Sequence, residues 1–145
     1  MERVLNFKSE AHHYRADACV VWCFDARFSD LLEELIAYRG YKYIDLVKVA
    51  GGAKSLASGT GSEQAYILDQ VSKSINLHNP KEIILMAHKD CGAYAKQFQN
   101  SEDELIFYGA ELNEAMKVIE KLLQGVEQKI AIKKYFADFD GLLEA

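Results

Sequence analysis

ACVVWCF, residues 18–24, is the stretch whose reading decides the fold. It is a short, almost unbroken apolar run, rich in residues that favour a pleated surface, and it reads as a buried strand. Helix signals follow at once. Asp30 and Glu33 have the spacing of a capping box, and Leu31, Leu32, Leu35 and Ile36 supply an apolar face. Gly40 stands just past the last expected turn, where a helix C-cap takes up the left-handed conformation.

The same alternation continues outward. YIDLVKV, residues 43–49, fits a second strand and ends at the glycine-containing turn AGGAKSLASGTG. A helix is expected from near Thr60, with Glu63 three residues on and Leu68, Val71 and Ile75 on one face. Asn79-Pro80 breaks the chain before the strand EIILMAH. Ser101 with Glu104 reads as a third capping box, opening a long helix whose stripe is Leu105, Tyr108, Leu112, Ile119 and Leu122. Gly125 closes it. KIAIKKYFADF reads as a last strand, with Asp140-Gly141 as a hairpin turn. Strand and helix in alternation predict an α/β fold with a mainly parallel central sheet and helices on both faces.

Composition bounds the function. A chain of 145 residues, half of them apolar and only one a proline, is expected to form a single domain over residues 1–145. A net charge of −5 argues against a nucleic-acid binder, which carries a basic face. No apolar run reaches the ~18 residues a membrane span needs. The N-terminal stretch lacks an apolar signal core, so a cytoplasmic protein is expected. The three cysteines, Cys19, Cys23 and Cys91, cannot all pair within one chain, and an unexported protein disfavours disulfides. Thiol packing, metal ligation and catalysis remain open.

Ligands of open α/β sheets gather at the carboxyl ends of strands, where strand order reverses. Two polar groups fall there. Cys23, Asp25 and Arg27 leave the first strand, and His88 and Cys91 leave the third. Zinc favours thiolate and imidazole in a tetrahedron, and a catalytic site leaves one position for water. Cys23, His88 and Cys91 supply such a set if the first and third strands are neighbours. The His88–Cys91 pair alone is equally a buried histidine and an inert thiol. Asp25 and Arg27 share alternation parity with Cys23 if the extended geometry continues. An arginine fork can grip a carboxylate through two parallel hydrogen bonds; alone, such a pair is an ordinary loop salt bridge.

The residues carry a family resemblance. CFDAR, Cys23 to Arg27, resembles the Cys-x-Asp-x-Arg signature of the β-class carbonic anhydrases. AHKDCGAY, Ala87 to Tyr94, resembles their His-x-x-Cys-Gly signature. VKVAGGAKSLA resembles the segment ending Asn-Ala-Gly-Gly, and the tail YFADFDGLL resembles the closing strand pair. The resemblance runs from about Ala18 to Leu143 and implies Zn²⁺ held by Cys23, His88 and Cys91, with Asp25 and Arg27 as a dyad beside it. It implies reversible hydration of carbon dioxide to bicarbonate by zinc-bound hydroxide, Asp25 aiming the attack and Arg27 keeping Asp25 charged. It also implies a homodimer or larger homo-oligomer, and an inactive form in which the aspartate itself takes the zinc. Val49 stands where the family has asparagine, and Ala26 where it has serine. The N-terminal helical arm is expected to be reduced or absent, and the glutamine that orients substrate has no obvious counterpart. Gly51 and Gly52 either let backbone approach the substrate pocket or form a plain turn.

Competing functions are a COS or CS₂ hydrolase on the same scaffold, and a carbonic-anhydrase-like protein that binds zinc without turnover. Thiol chemistry fits poorly. A phosphatase loop needs its arginine six positions after the cysteine, whereas Arg27 is four after Cys23. Other residues have plainer expectations. Cys19 is a buried thiol, ~13 Å back along the strand. His12 and His13 are surface histidines or proton shuttles, Lys54 and Lys89 are solvated lysines or a positive lining of the cleft, and His78 caps or packs at a helix end. Asp90 supports the ligands or faces solvent. Tyr94 and Phe98 line a gas channel or belong to the core or a dimer contact.

Overall fold

The computed structural model describes residues 2–145. Four strands run parallel: β1 (Ala18–Cys23), β2 (Ile44–Val49), β3 (Glu82–His88) and β4 (Ala131–Ala137). A short fifth, β5 (Leu142–Glu144), folds back antiparallel on β4 through the expected Asp140-Gly141 turn. The sheet order is β2-β1-β3-β4-β5. The chain moves outward from β1 to β2, then crosses back to β3 on the other side. The point of reversal lies between β1 and β3, whose carboxyl ends carry Cys23 and His88.

Helices α1 (Ser29–Arg39), α2 (Lys54–Ala57), α3 (Gly61–His78) and α4 (Ser101–Leu123) make the connections. Right-handed crossovers put α1 on one face and α3 and α4 on the other, because β1→β2 and β2→β3 run in opposite directions. The side chains of β4 agree. Phe136 stacks on Tyr108 of α4 at 5.0 Å, while its neighbour Tyr135 lines a groove with Leu31 and Leu35 of α1. Every residue of β1 and β3 is buried, as strands covered on both faces should be. No helix of the described residues is long and apolar enough to cross a membrane.

Local signals explain most boundaries. Gly40 ends α1 at φ 66°, and Thr60 with Glu63 forms the expected reciprocal capping box at α3. Two other expected boxes do not form. The residue before α1 is Phe28, with no side-chain cap, because a 3₁₀ turn over Ala26–Phe28 runs straight into the helix. The cap of α4 is Asn100, which accepts the Asp103 N–H at 2.9 Å, and Glu104 is turned inward. The buried face of α4 is therefore Glu104, Tyr108, Leu112, Ala115 and Ile119, and Leu105 is left outside. The expected glycine turn after β2 also contains α2, a single helical turn.

At the amino ends of the strands, polar side chains tie the sheet's entry together. Asp17 accepts the N–H groups of Lys42 (2.8 Å) and Tyr43 (3.1 Å) and pairs with Lys81 (2.7 Å). The Lys81 ammonium first, then those two amides, hold its carboxyl down at about 2. A depressed carboxylate adds stability above its unfolded value of about 3.9, and that stability fades as pH falls toward the folded value. Asp17→Asn is expected to cost about 1–2 kcal/mol at neutral pH, Lys81 being largely exposed. The deficit should shrink below pH ~4 in urea unfolding curves.

A second polar knot centres on Asp45 of β2. It accepts from Tyr14 (2.8 Å) and Ser74 (2.6 Å) and pairs with His78 (2.9 Å), whose ring lies 4.1 Å from that of Tyr14. Burial would raise the Asp45 carboxyl, but the Ser74, His78 and Tyr14 bonds together outweigh it and lower it. His78 thus packs and pairs at the end of α3. Nearby Cys19 is fully buried, and desolvation pushes its thiol up to about 11, as expected of an inert cysteine.

Candidate metal centre

Pairing of β1 with β3 brings three donors together. The ligand atoms of Cys23, His88 and Cys91 all lie within 4.8 Å of one another, and all three residues are buried. Cys23 ends β1 and His88 ends β3. Cys91 follows a tight turn in which Asp90 adopts φ 53°.

The histidine is prepared as a donor. Its Nδ1 faces the Lys89 carbonyl at 2.8 Å. A carbonyl can only accept, so Nδ1 carries the proton and Nε2 presents its lone pair. That Nε2 is buried and has no hydrogen-bond partner among the described residues. The ring is held by Phe28 at 4.7 Å and by the edge of Trp22 at 5.7 Å. A buried nitrogen without a partner is costly unless a ligand satisfies it.

The sulfurs are equally poised. Cys23 Sγ accepts the Gly51 N–H at 3.3 Å. Proton sharing with Cys91 lowers the Cys23 thiol and raises the Cys91 thiol. Burial would lower His88, but its contacts with Cys23, the Lys89 carbonyl and Asp25 push it up. Metal binding needs both thiols deprotonated and the imidazole neutral, so protons would leave these donors as a cation entered. Two thiolates and one imidazole are a borderline-soft set, suited to zinc, and the residues present fit that ion.

Asp25 and Arg27 do not continue the strand's alternation. They sit at a 3₁₀ turn, with Asp25 at its cap accepting the Arg27 N–H at 3.0 Å. The turn, and not strand parity, folds the guanidinium back on the carboxylate. Arg27 Nη2 reaches Asp25 Oδ2 at 2.7 Å, and Nε lies 3.1 Å from both carboxylate oxygens. Those bonds hold the Asp25 carboxyl at about 2. Its Oδ2 stands 3.9 Å from His88 Nε2, at the mouth of the three-donor cluster. Arg27 also binds Asp90, through its carboxylate and its carbonyl oxygen, each at 2.9 Å. Asp90 thus ties the arginine to the ligand turn.

Gly51 and Gly52 are both a turn and a close approach. Each has positive φ, 75° and 56°. A Cβ on Gly52 would lie 2.7 Å from the Met86 carbonyl and 2.9 Å from the Cys23 nitrogen, both immovable backbone. Gly52→Ala is expected to lower stability by roughly 2–4 kcal/mol, read from thermal melts. A depression of about 460 Å³ opens beside the donors, lined by Phe24, Ala26, Ala50, Gly51, Gly92 and Ala93 among others. Val49 closes β2 opposite Cys23, and its carbonyl accepts from Phe24 (3.3 Å) and Gly52 (3.2 Å).

The remaining residues divide. Tyr94 and Phe98 pack with Phe107 and Tyr108 in one aromatic cluster. Lys54 lies over the Tyr94 ring, and Lys89 turns toward Ser101 and Glu104. His12 and His13 are exposed. Sequence reasoning missed Glu104 and Tyr108, which accept the N–H groups of Asp90 (3.0 Å) and Cys91 (3.4 Å). The available signal was their spacing: a glutamate one turn before a tyrosine, in line with Leu112, lies on the buried face.

Comparison with known proteins gives the class of fold first. The carbonic anhydrase of Streptococcus mutans superposes with a TM-score of 0.56 at 18% identity, over 94% of this chain and 87% of that one. β-Carbonic anhydrase isoform I of Trichomonas vaginalis gives 0.55 at 16%, over 96% and 87%. A carbon disulfide hydrolase gives 0.52 at 18%, over 90% and 79%. The architecture is that of the β-carbonic anhydrases. An uncharacterized protein of Rickettsia bellii is 24% identical over 136 residues, 89% of this chain and 80% of its own. The model of the family described as "Putative carbonic anhydrase" matches residues 14–141, and the chain belongs to that family as a divergent member.

Proposed function

We propose that this protein is a zinc-dependent carbonic anhydrase that interconverts carbon dioxide and bicarbonate. The observation that carries the reading is the convergence of Cys23, His88 and Cys91, with the His88 Nε2 lone pair buried, unpartnered and facing the two sulfurs. Bound there, zinc would supply the Lewis acidity that brings the ionisation of water to near neutrality.

The chain's own residues do the rest. Cys23, His88 and Cys91 would hold the ion. The Gly51 N–H steadies the Cys23 sulfur. Asp25, ionised and 3.9 Å from His88 Nε2, would accept a hydrogen bond from the reacting water and so orient it. Arg27 keeps Asp25 ionised and fixes the plane of its carboxylate. Phe24, Ala26 and Ala93 give the depression an apolar wall that suits a small uncharged gas. We further read residues 1–145 as one catalytic domain that acts in the cytoplasm as a homodimer or larger homo-oligomer. Tetrameric β-carbonic anhydrases of Sordaria macrospora, of similar fold at a TM-score of 0.51, support the assembly.

Stopped-flow hydration of carbon dioxide by the zinc-loaded protein is the test. Turnover well above that of metal-free protein and of Asp25→Ala is expected. Sulfide release from COS or CS₂ without carbon dioxide hydration would reassign the substrate. Bound zinc with neither activity would make the protein a non-catalytic member.

A further inference from the structure

We propose that Glu104 and Tyr108 of α4 are positioning residues that hold the turn between His88 and Cys91 in its metal-binding shape. The inference rests on the metal reading above and adds to it the part of the chain that tunes the site.

The turn has three consecutive backbone N–H groups, and each is taken by a different acceptor. Lys89 donates to the Ala137 carbonyl at the end of β4, at 2.8 Å. Asp90 donates to Glu104 Oε1 at 3.0 Å, and Cys91 donates to the Tyr108 hydroxyl at 3.4 Å. Glu104 and Tyr108 are one helical turn apart, so their side chains lie one above the other and meet adjacent amides. Both are buried, at 7% and 1% exposure. A carboxylate so placed is an unusual choice for the buried face of a helix and needs a partner that repays its desolvation. The Asp90 amide is that partner, with the Lys89 ammonium 3.8 Å away.

The hydroxyl of Tyr108 is equally fixed. Its ring stacks on Phe136 and is boxed by Tyr94, Phe98 and Phe107. The turn needs this support because Asp90 sits at φ 53°, a conformation that a residue with a Cβ adopts reluctantly. Released from α4, Asp90 would relax toward negative φ. The Cys91 sulfur would then move relative to the His88 nitrogen, and the freed amides would turn to whatever acceptor lay nearest, including the sulfurs. Partners that only support a metal ligand typically contribute about 10- to 100-fold in affinity.

The experiment is a Co²⁺ titration against a competing chelator, with absorption spectra, on the full chain and three variants. Tyr108→Phe removes only the hydroxyl. Glu104→Leu removes the acceptor, and Glu104→Gln keeps one. Tyr108→Phe and Glu104→Leu are expected to bind Co²⁺ about 10- to 100-fold more weakly and to shift the ligand-field bands. Glu104→Gln should stay within a few-fold of the parent. Unchanged affinity and bands in Tyr108→Phe would overturn the proposal. So would equal losses in Glu104→Gln and Glu104→Leu. If Glu104→Leu does not fold, Tyr108→Phe decides alone. If the parent protein binds neither Co²⁺ nor Zn²⁺, the metal reading fails and this inference fails with it; tight binding by the parent with indifferent variants sinks the inference only.

Discussion

Cys23→Ser protein is expected to emerge from purification without stoichiometric zinc and to hydrate carbon dioxide no faster than buffer. The substitution is small in volume and leaves the Gly51 N–H an acceptor, so the end of β1 keeps its backbone path. What changes is the donor. A hydroxyl remains protonated at neutral pH, is a hard ligand, and reaches less far than sulfur, so one of three attachments is lost. The affinity cost should exceed the roughly 10- to 100-fold typical of a group that merely supports a ligand. Metal analysis after dialysis reads the loss directly. A thermal melt separates it from misfolding: zinc should raise the melting temperature of the parent and leave the variant unmoved, while the two metal-free proteins melt together. A variant that retained one zinc per chain and full activity would remove Cys23 from the site.

Much of this site was legible in the sequence because strand ends are legible. ACVVWCF and EIILMAH are apolar runs too short for helices, and each stops at a polar residue. A parallel sheet exposes those stops on one edge, so Cys23 and His88 fall on the same side whatever the strand order. That β1 and β3 are neighbours is a long-range fact, which the sequence supplies only through resemblance. The failures have local causes. Asp30 and Ser101 have capping-box spacing, and spacing alone does not decide a cap. At the first, the Asp25 turn already positions the backbone; at the second, Asn100 lies one residue earlier and caps better. With Asn100 as cap, Glu104 falls a position further into the helix and onto its inner face, and Leu105 rotates out. Capping-box spacing by itself conceals such a shift, because a glutamate near a helix start has an ordinary role there; the spacing to Tyr108 and Leu112 reveals it. Strand parity predicts that Asp25 and Arg27 meet, but it is a 3₁₀ turn, not an extended strand, that closes the pair.

Arg27→Ala is expected to keep its zinc and yet to lose on the order of 10²- to 10³-fold in kcat/KM. Arg27 is not among the three donors, and without its bonds to Asp90 the ligand turn is still held by Glu104 and Tyr108, so zinc should stay bound, with a loss no larger than that of a group that merely supports a ligand. Its work in the reaction is done on Asp25. Without the guanidinium, the Asp25 carboxyl rises from about 2 toward the ordinary carboxylate range, near 3.9, and is still ionised at pH 7. The loss at neutral pH is therefore one of orientation and not of charge. Raising the pH should not restore the rate, and a rate that recovered at high pH would overturn this account. Arg27→Lys returns a positive charge without the planar fork, and most of the loss should persist. The freed carboxylate starts 3.9 Å from His88 Nε2, and no other cation among the described residues pairs with it. It can swing inward over the donor cluster, where a hydrolytic site needs its open position. The Co²⁺ form of Arg27→Ala should then show bands that no longer change between pH 6 and 9, roughly the interval in which an open site titrates its water. Parent protein that binds Co²⁺ and already lacks that change would place Asp25 over the cluster in the native state, and the protein among non-catalytic members of its family.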